Sequence, residues 1–288
     1  MRVIRHDAPR AFLDRAERWL LGREAENNLV LGLADALSRS TQGYDSPLYF
    51  ATVEDEGEVQ GCVFRTPPYK LGLTRMPLHA ASSVAAAVAE VYDALPAVLG
   101  PVDVARTVGD AWAAARGVRA VDGLRQRIHA LEEVRVPARA APGTMRPAEE
   151  GDLALLKSWI GSFLEATGLH DGHDPGARAA GLTAGGVLVL WVDRVPVSMA
   201  AFPARTRNTV RIGYVYTPPE YRRRGYAGTL VSHLSRHILE SGFRQCVLYT
   251  DLSNPTSNRI YREIGYRPVQ DVMDVDFSSP LMQAANPL

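Results

Sequence analysis

The stretch Arg222-Arg223-Arg224-Gly225-Tyr226-Ala227-Gly228 decides the reading of this chain. Ahead of it, residues 209–217 are rich in β-branched and aromatic side chains and predict a strand. Behind it, residues 229–239 carry apolar side chains at helical spacing. A short Gly/Ala-rich turn between a strand and a helix lets backbone N–H groups converge at the helix N-terminus. That end has unpaired donors and a partial positive charge, so it suits an anion. Three arginines at its mouth raise the local positive potential. The segment reads as a pyrophosphate cradle.

The rest of the composition narrows the class. A length of 288 residues predicts two domains. A hydrophobic content of 46% is enough for packed cores and excludes global disorder. The formal net charge is zero, which counts against a nucleic-acid surface. The cations are almost all arginine, with only Lys70 and Lys157 as lysines; this bias carries no functional weight. Cys62 and Cys246 sit in apolar runs with no partner at metal-ligand spacing. They read as buried thiols in a reducing compartment. Residues 1–7 lack the apolar core of a signal peptide. No apolar run approaches the roughly 20 residues that span a bilayer. The expectation is a cytoplasmic protein with no membrane or nucleic-acid partner, as monomer or homodimer.

Residues 136–143 are small, Pro/Gly-rich and without periodicity. They divide the chain into a first domain at 1–136, a linker at 137–143 and a second domain at 144–288. The second half predicts a strand at 144–147 and helices at 152–167 and after Pro175. Strands follow at 187–192, 195–204 and 209–217, then the Arg/Gly loop and a helix to about 241. A strand at 245–250, a helix after Asn254 and a last strand at 266–276 complete it. The first half predicts helices at 9–21 and 24–39, and strands at 48–54, 58–65 and 69–75. A helix at 80–95, a strand at 97–102, a helix at 103–116 and a strand at 124–136 follow. Matching elements lie about 136–139 residues apart, widening to about 145–150 after the third strand. The order implies duplication of one fold. The widening falls where the second half has Arg222–Gly228 and the first has only Met76, Pro77, Leu78 and His79. The first half lacks the cradle, so it is expected not to bind the same ligand in that way.

On these residues the second half resembles the GCN5-related N-acetyltransferase superfamily over about 144–276. The family's Arg/Gln-x-x-Gly-x-Gly/Ala pattern is filled by Arg222, Gly225 and Ala227. A second family block, an Asn, a Tyr seven residues on and a Gly-aromatic pair, is matched by Asn254, Tyr261, Gly265 and Tyr266. The first half looks like a degenerate, non-catalytic copy. The layout is similar to two-domain members such as the mycothiol synthase type. The resemblance implies an α/β (α+β) fold of two tandem acyl-CoA N-acyltransferase-like domains. Each would be a mixed, mostly antiparallel twisted sheet flanked by helices.

What the resemblance implies for the site is specific. Acetyl-CoA is the co-substrate, and no metal takes part. The cofactor's pyrophosphate would rest on amides from Arg223 to Gly228, with Arg222, Gly225, Tyr226 and Ala227 in the same loop. Pantetheine would pair with backbone at Val215, Tyr216 and Thr217, beside a bulged and splayed strand. Tyr261 would donate a proton to the leaving thiolate. Asn254 and Asn258 would touch the pantetheine arm, with helix capping the alternative for Asn254. The base is open among Glu165, His170, Asp171, Tyr214, Asp251 and a water chain. The stretch from His170 to Asp174 has imidazole and carboxylate ligands, but its spacing fits no common zinc site. It reads as an acceptor loop or a solvated one. The acceptor is a small-molecule or peptide amine. A CoA sensor or scaffold without turnover, and an acyltransferase for longer acyl-CoA, remain alternatives.

Overall fold

The computed structural model describes residues 1–40, 47–135, 140–168 and 174–278. The chain runs β1 (Arg2–Arg5), α1 (Pro9–Leu21), α2 (Asn28–Arg39), β2 (Tyr49–Asp55), β3 (Glu58–Arg65), β4 (Leu71–Leu73), α3 (Ala81–Ala89), β5 (Ala97–Pro101), α4 (Val102–Arg116) and β6 (Arg119–Leu131). The second half repeats that order. It runs β7 (Thr144–Pro147), α5 (Leu153–Thr167), α6 (Pro175–Ala184), β8 (Leu188–Asp193), β9 (Val195–Arg205), β10 (Thr209–Tyr216), α7 (Tyr226–Glu240), β11 (Gln245–Asp251), α8 (Pro255–Ile264) and β12 (Arg267–Ser278). Strand β1, which the sequence reading lacked, is the counterpart of β7 and makes the repeat complete.

Two compact units result. The first holds Met1–Ile128, Asp251–Ser253 and the chain from Val269; the second holds His129–Thr250 and Asn254–Pro268. The first unit therefore takes β12 from Val269 on from the other half of the sequence, and the second takes the end of β6 from His129. A cut at residues 137–143 separates those strands differently: it leaves β12 with the second half and the end of β6 with the first. The exchange has a packing cause. Met273 and Val275 of β12 are fully buried in the core of Val98, Val108 and Trp112. Leu131 of β6 is fully buried among Leu230, Leu248 and Tyr266.

In the first unit the strand order is β1-β2-β3-β4-β5-β12, with β6 next. One face packs on α3 and α4, and the other packs Phe50, Cys62 and Phe64 against α1 and α2. In the second the order is β11-β10-β9-β8-β7, with the end of β6 beside β11. Its faces are covered by α5 and α6 on one side and by α7 and α8 on the other. Of the described pairings, β4–β5 and β10–β11 are parallel and the others antiparallel. The expected fold class, mixed and mostly antiparallel sheet with flanking helices, is the one found.

Some element limits differ from the sequence reading. The helix expected at 80–95 stops at Ala89, because the Arg116 guanidinium reaches the carbonyls of Ala89 and Tyr92 at 2.6 Å each. The strand expected at 124–136 runs from Arg119 to Leu131. Its first residues are mostly exposed, so they give no apolar signal. The end of the linker is docked in the second unit. Ala141 N–H donates to Thr229 Oγ1 at 2.9 Å, and the Trp191 indole donates to Pro142 O at 2.8 Å.

Candidate active site

Strand β10 is regular at its start and irregular at its end. It pairs in parallel with β11 through Thr209, Val210 and Arg211, opposite Gln245, Cys246 and Val247. It runs on to Tyr216 with no further described pair to β11. Against β9 its register shifts on both sides of Gly213. Tyr214 there has φ +51°, a left-handed value that few non-glycine residues adopt. The described β10–β11 pairs thus end at Arg211 and Val247, ahead of the bulge.

The chain then reaches the Arg/Gly loop. Arg222 Nε–H donates to the Thr217 carbonyl at 3.0 Å, and its guanidinium lies 5.9 Å from the Tyr216 ring centre. Arg223 has φ +63° and Gly225 φ +84°. A Cβ on Gly225 would meet nothing nearer than Ala141 at 3.9 Å, so conformation, and not space, requires glycine. Gly228 differs: a Cβ there would stand 3.3 Å from Ile260, so its small size lets α8 approach. The first backbone bond of α7 runs from Thr229 N–H to Gly225 O at 3.0 Å. Among the described residues the amides from Arg223 to Gly228 have no hydrogen-bond partner, and no side chain caps the helix. Six amides without partners at a helix N-terminus are the kind of arrangement that can receive an anion.

Side chains hold this cradle in place. Tyr226 is buried, and its hydroxyl donates to Asp193 Oδ2 at 2.6 Å. That bond holds the phenol above its ordinary pKa. Arg224 lies 5.9 Å from the Tyr221 ring. Arg222, Arg223 and Arg224 are all exposed. Arg222 is tied back to β10 and Arg224 is drawn towards the Tyr226 hydroxyl, so the three arginines at the mouth have different surroundings.

A model of the FR47-like protein family matches residues 192–273, the span from β8 to β12 that contains this site. No curated protein matches the chain in sequence. Among solved structures, a GCN5-related N-acetyltransferase from Sphaerobacter thermophilus is 18% identical, with TM-score 0.62 over 96% of each chain. A GNAT-family acetyltransferase from Colwellia psychrerythraea is 10% identical, with TM-score 0.58 over 96% of this chain and 100% of that one. A tandem GNAT protein from the clavulanic acid pathway is 12% identical, with TM-score 0.52 over 99% of each. The chain has the GNAT fold, in tandem. At these identities the likeness is one of fold.

Within the GNAT fold, Tyr261 is on α8 and packs edge-on against Tyr266 at 5.8 Å. It shares one core with Tyr226, Ile212 and Val215. Burial raises its pKa, so the phenol stays neutral. Its hydroxyl has no partner among the described residues, and it is not one of the sealed, unpaired polar atoms.

Asn254 caps α8, accepting from Ser257 N–H at 3.2 Å. Asn258 Nδ2 donates to Asn254 O at 2.8 Å, and Asn258 Oδ1 accepts from the Thr250 hydroxyl at 2.7 Å. Thr250 has spent its proton, so its oxygen accepts from His129 Nε2 at 3.2 Å. His129, Thr250 and Asn258 thus form a relay that fixes the start of α8, one turn ahead of Tyr261. Only Asn258 of the three was a sequence candidate. The others gave no signal, since an isolated His or Thr in a strand is ordinary core.

The strand candidates are partly occupied. The Ser198 hydroxyl donates to Tyr216 O at 2.9 Å and lies 2.9 Å from Thr217 Oγ1. The Tyr216 carbonyl is taken by Ser198 and the Thr217 carbonyl by Arg222, which leaves Val215 as the strand candidate with no side-chain partner of this kind among the described residues. Among the base candidates, Glu165 is exposed on α5. Asp251 accepts from the Ser253 amide and hydroxyl at 2.8 Å. His170, Asp171 and His173 lie outside the described residues, and Asp174 caps α6 by accepting from Ala177 N–H at 2.8 Å. No group of three or more metal-capable side chains occurs among the described residues. No described helix is long and apolar enough to cross a membrane.

The first unit handles the matching place differently. Beyond β4, a Cβ on Gly100 would come within 2.8 Å of Leu73, and one on Gly61 within 2.5 Å of Met76. The chain at residues 73–76 therefore lies close on β5 and β3, whereas Gly213 in β10 has nothing within 4 Å of its Cβ position.

Proposed function

We propose that this chain is an acyl-CoA-dependent N-acyltransferase that moves the acetyl group of acetyl-CoA to a primary amine, with the chemistry in the second unit. One observation carries the reading: β10 leaves β11 after Arg211 and leads straight to the unpaired amides of Arg223 to Gly228. A pantetheine chain is extended and polar at regular intervals, so it can pair with the unpartnered strand as another strand would. The cradle is the right charge and place for the pyrophosphate, with Arg223 and Arg224 at its mouth and Arg222 holding its shape.

The chemistry follows from this placement. Holding amine and thioester together supplies much of the rate. The amine nitrogen forms a bond to the carbonyl carbon as the carbon–sulfur bond breaks. The neutral Tyr261 phenol donates its proton to the departing sulfur and recovers one from the acylated nitrogen through solvent. The buried phenol is a hydrogen-bond donor at any physiological pH, which suits charge that develops only as the thiolate leaves. Asn254 and Asn258 act by fixing α8. The first unit serves as a non-catalytic copy, a role supported by its missing loop and its close β4–β5 approach. The protein works in the cytoplasm, as monomer or homodimer, without a metal.

Calorimetric titration with acetyl-CoA tests the site. Arg224→Glu and Gly225→Glu are expected to weaken binding at least about tenfold, roughly 1.4 kcal/mol. Equal affinity in all three proteins overturns the assignment. Thiol release across a panel of amines tests turnover; binding with no acceptor at all favours a CoA sensor.

A further inference from the structure

The bulge in β10 does more than open the strand. Strict alternation would put residues 212, 214 and 216 on one face of the sheet. The register shift at Gly213 breaks that phase. Ile212 and Val215 face the α7 side, in the core that holds Tyr261. Tyr214 and Tyr216 face the α5 side. There they meet a matching pair of rings. Trp159 lies 6.2 Å from Tyr216, and Phe163 lies 5.3 Å from Tyr214, centre to centre. Trp159 and Phe163 are one helical turn apart, so the two ring pairs stand side by side. Phe163, Tyr214 and Tyr216 keep part of their surface exposed.

Resting on the acyltransferase reading, this layout puts the proton donor and the ring pairs on opposite faces of the open strand. A nucleophile must reach the carbonyl from a side that Tyr261 does not fill. We propose that Trp159, Phe163, Tyr214 and Tyr216 form the wall on which the acceptor lies, and that the acceptor is a primary amine on an aryl or alkyl body.

Charge supports that class. The described acidic side chains of these elements are engaged elsewhere or point to solvent. Asp152 is bound to Arg146, Asp174 caps α6, and Glu165 is exposed. Among the described residues, with Asp152 and Asp174 engaged elsewhere, a polyamine or an aminosugar would lose water here with few carboxylate partners to replace it. An aryl or alkyl amine gains apolar contact with the rings. Its single ammonium can approach over an aromatic face before losing its proton. Tyr214 holds this place through a left-handed backbone, φ +51°, that few non-glycine residues adopt.

The test uses the full chain with acetyl-CoA and four probes: phenethylamine, hexylamine, spermidine and glucosamine. The expected kcat/KM for the first two exceeds that for the others by at least about tenfold. Tyr214→Gly removes one ring while its backbone conformation stays favourable. Phe163→Leu removes another while keeping the core filled. Each is expected to lower the phenethylamine-to-spermidine ratio by about tenfold. Spermidine or glucosamine as the preferred acceptor, or an unchanged ratio in both variants, overturns the wall. Transfer to none of the four, with acetyl-CoA still bound, removes the enzyme reading. The wall is then judged by calorimetry of phenethylamine with CoA present, where it predicts binding that Tyr214→Gly weakens, and equal affinity rejects it.

Discussion

In the proposed reaction Tyr261 is the proton donor. Its ring is held by Tyr266, its hydroxyl is free, and burial keeps it protonated. Tyr261→Phe keeps the ring and removes the proton, so the expected effect is on chemistry and not on binding. The kcat for acetyl transfer should fall about 10²-fold while KM for acetyl-CoA stays within about twofold. A large KM rise with unchanged kcat would show that the hydroxyl binds cofactor instead. Tyr261 and Gly225 were legible in the sequence because each stands in a short local pattern. The separate duties of the three arginines were not. That Arg222 reaches Thr217 O while Arg224 interacts with the Tyr226 hydroxyl depends on where β10 ends in space. His129, Thr250, Asp193 and Ser198 were invisible for the same reason, because their partners lie far away in the chain.

The elements of the second unit are fastened at their ends. Arg146 on β7 makes two bonds to Asp152 at the start of α5, at 2.6 and 2.8 Å. Asp152 also accepts from the Glu149 amide at 2.9 Å, in a capping box. The Arg146 bond holds the Asp152 carboxyl below the usual carboxylate range. A carboxyl lowered in the folded state stabilises it at pH values above the unfolded pKa of about 4. That stabilisation is lost as pH falls through the folded value. Asp152→Asn should therefore cost about 1 kcal/mol at pH 7 and progressively less below about pH 4. Urea melts at the two pH values check this; a difference independent of pH would assign the loss to helix capping. The order of strands and helices was readable from periodicity and turn residues. The β10 bulge was not, since the apolar pattern of residues 209–217 is equally good for an unbroken strand. The repacking at Gly213 decides which face Tyr214 and Tyr216 occupy.

Two properties belong to the chain as a unit. The first is that neither half closes its own core. Without β12 the first unit loses Met273 and Val275, which fill the space beside Val98 and Trp112. Each such side chain is worth roughly 1.5–3 kcal/mol of burial, a large share of a domain's net stability. Fragments 1–136 and 144–288, produced separately, should fail to melt cooperatively by calorimetry and should regain a transition when mixed. Independent cooperative melting of either would show that its last strand is dispensable. The second is stoichiometry. After β4 the first unit has no counterpart of Arg222–Gly228, and a Cβ on its Gly100 would come within 2.8 Å of Leu73. Titration should therefore give one acetyl-CoA per chain, and two would restore a site to the first unit.

Local order in the amino-acid sequence was enough for part of this. It set the repeated order of elements, the anion cradle at Arg222–Gly228, the Asn254–Tyr261 block and the missing loop of the first half. These are encoded by short-range spacing, which a helix or turn converts directly into geometry. The tertiary structure alone decided the strand exchange, the relay from His129 to Asn258, and the aromatic wall of α5 and β10. Those depend on which distant surfaces bury one another, and on a one-residue change of register whose energy is spread over the whole packed sheet.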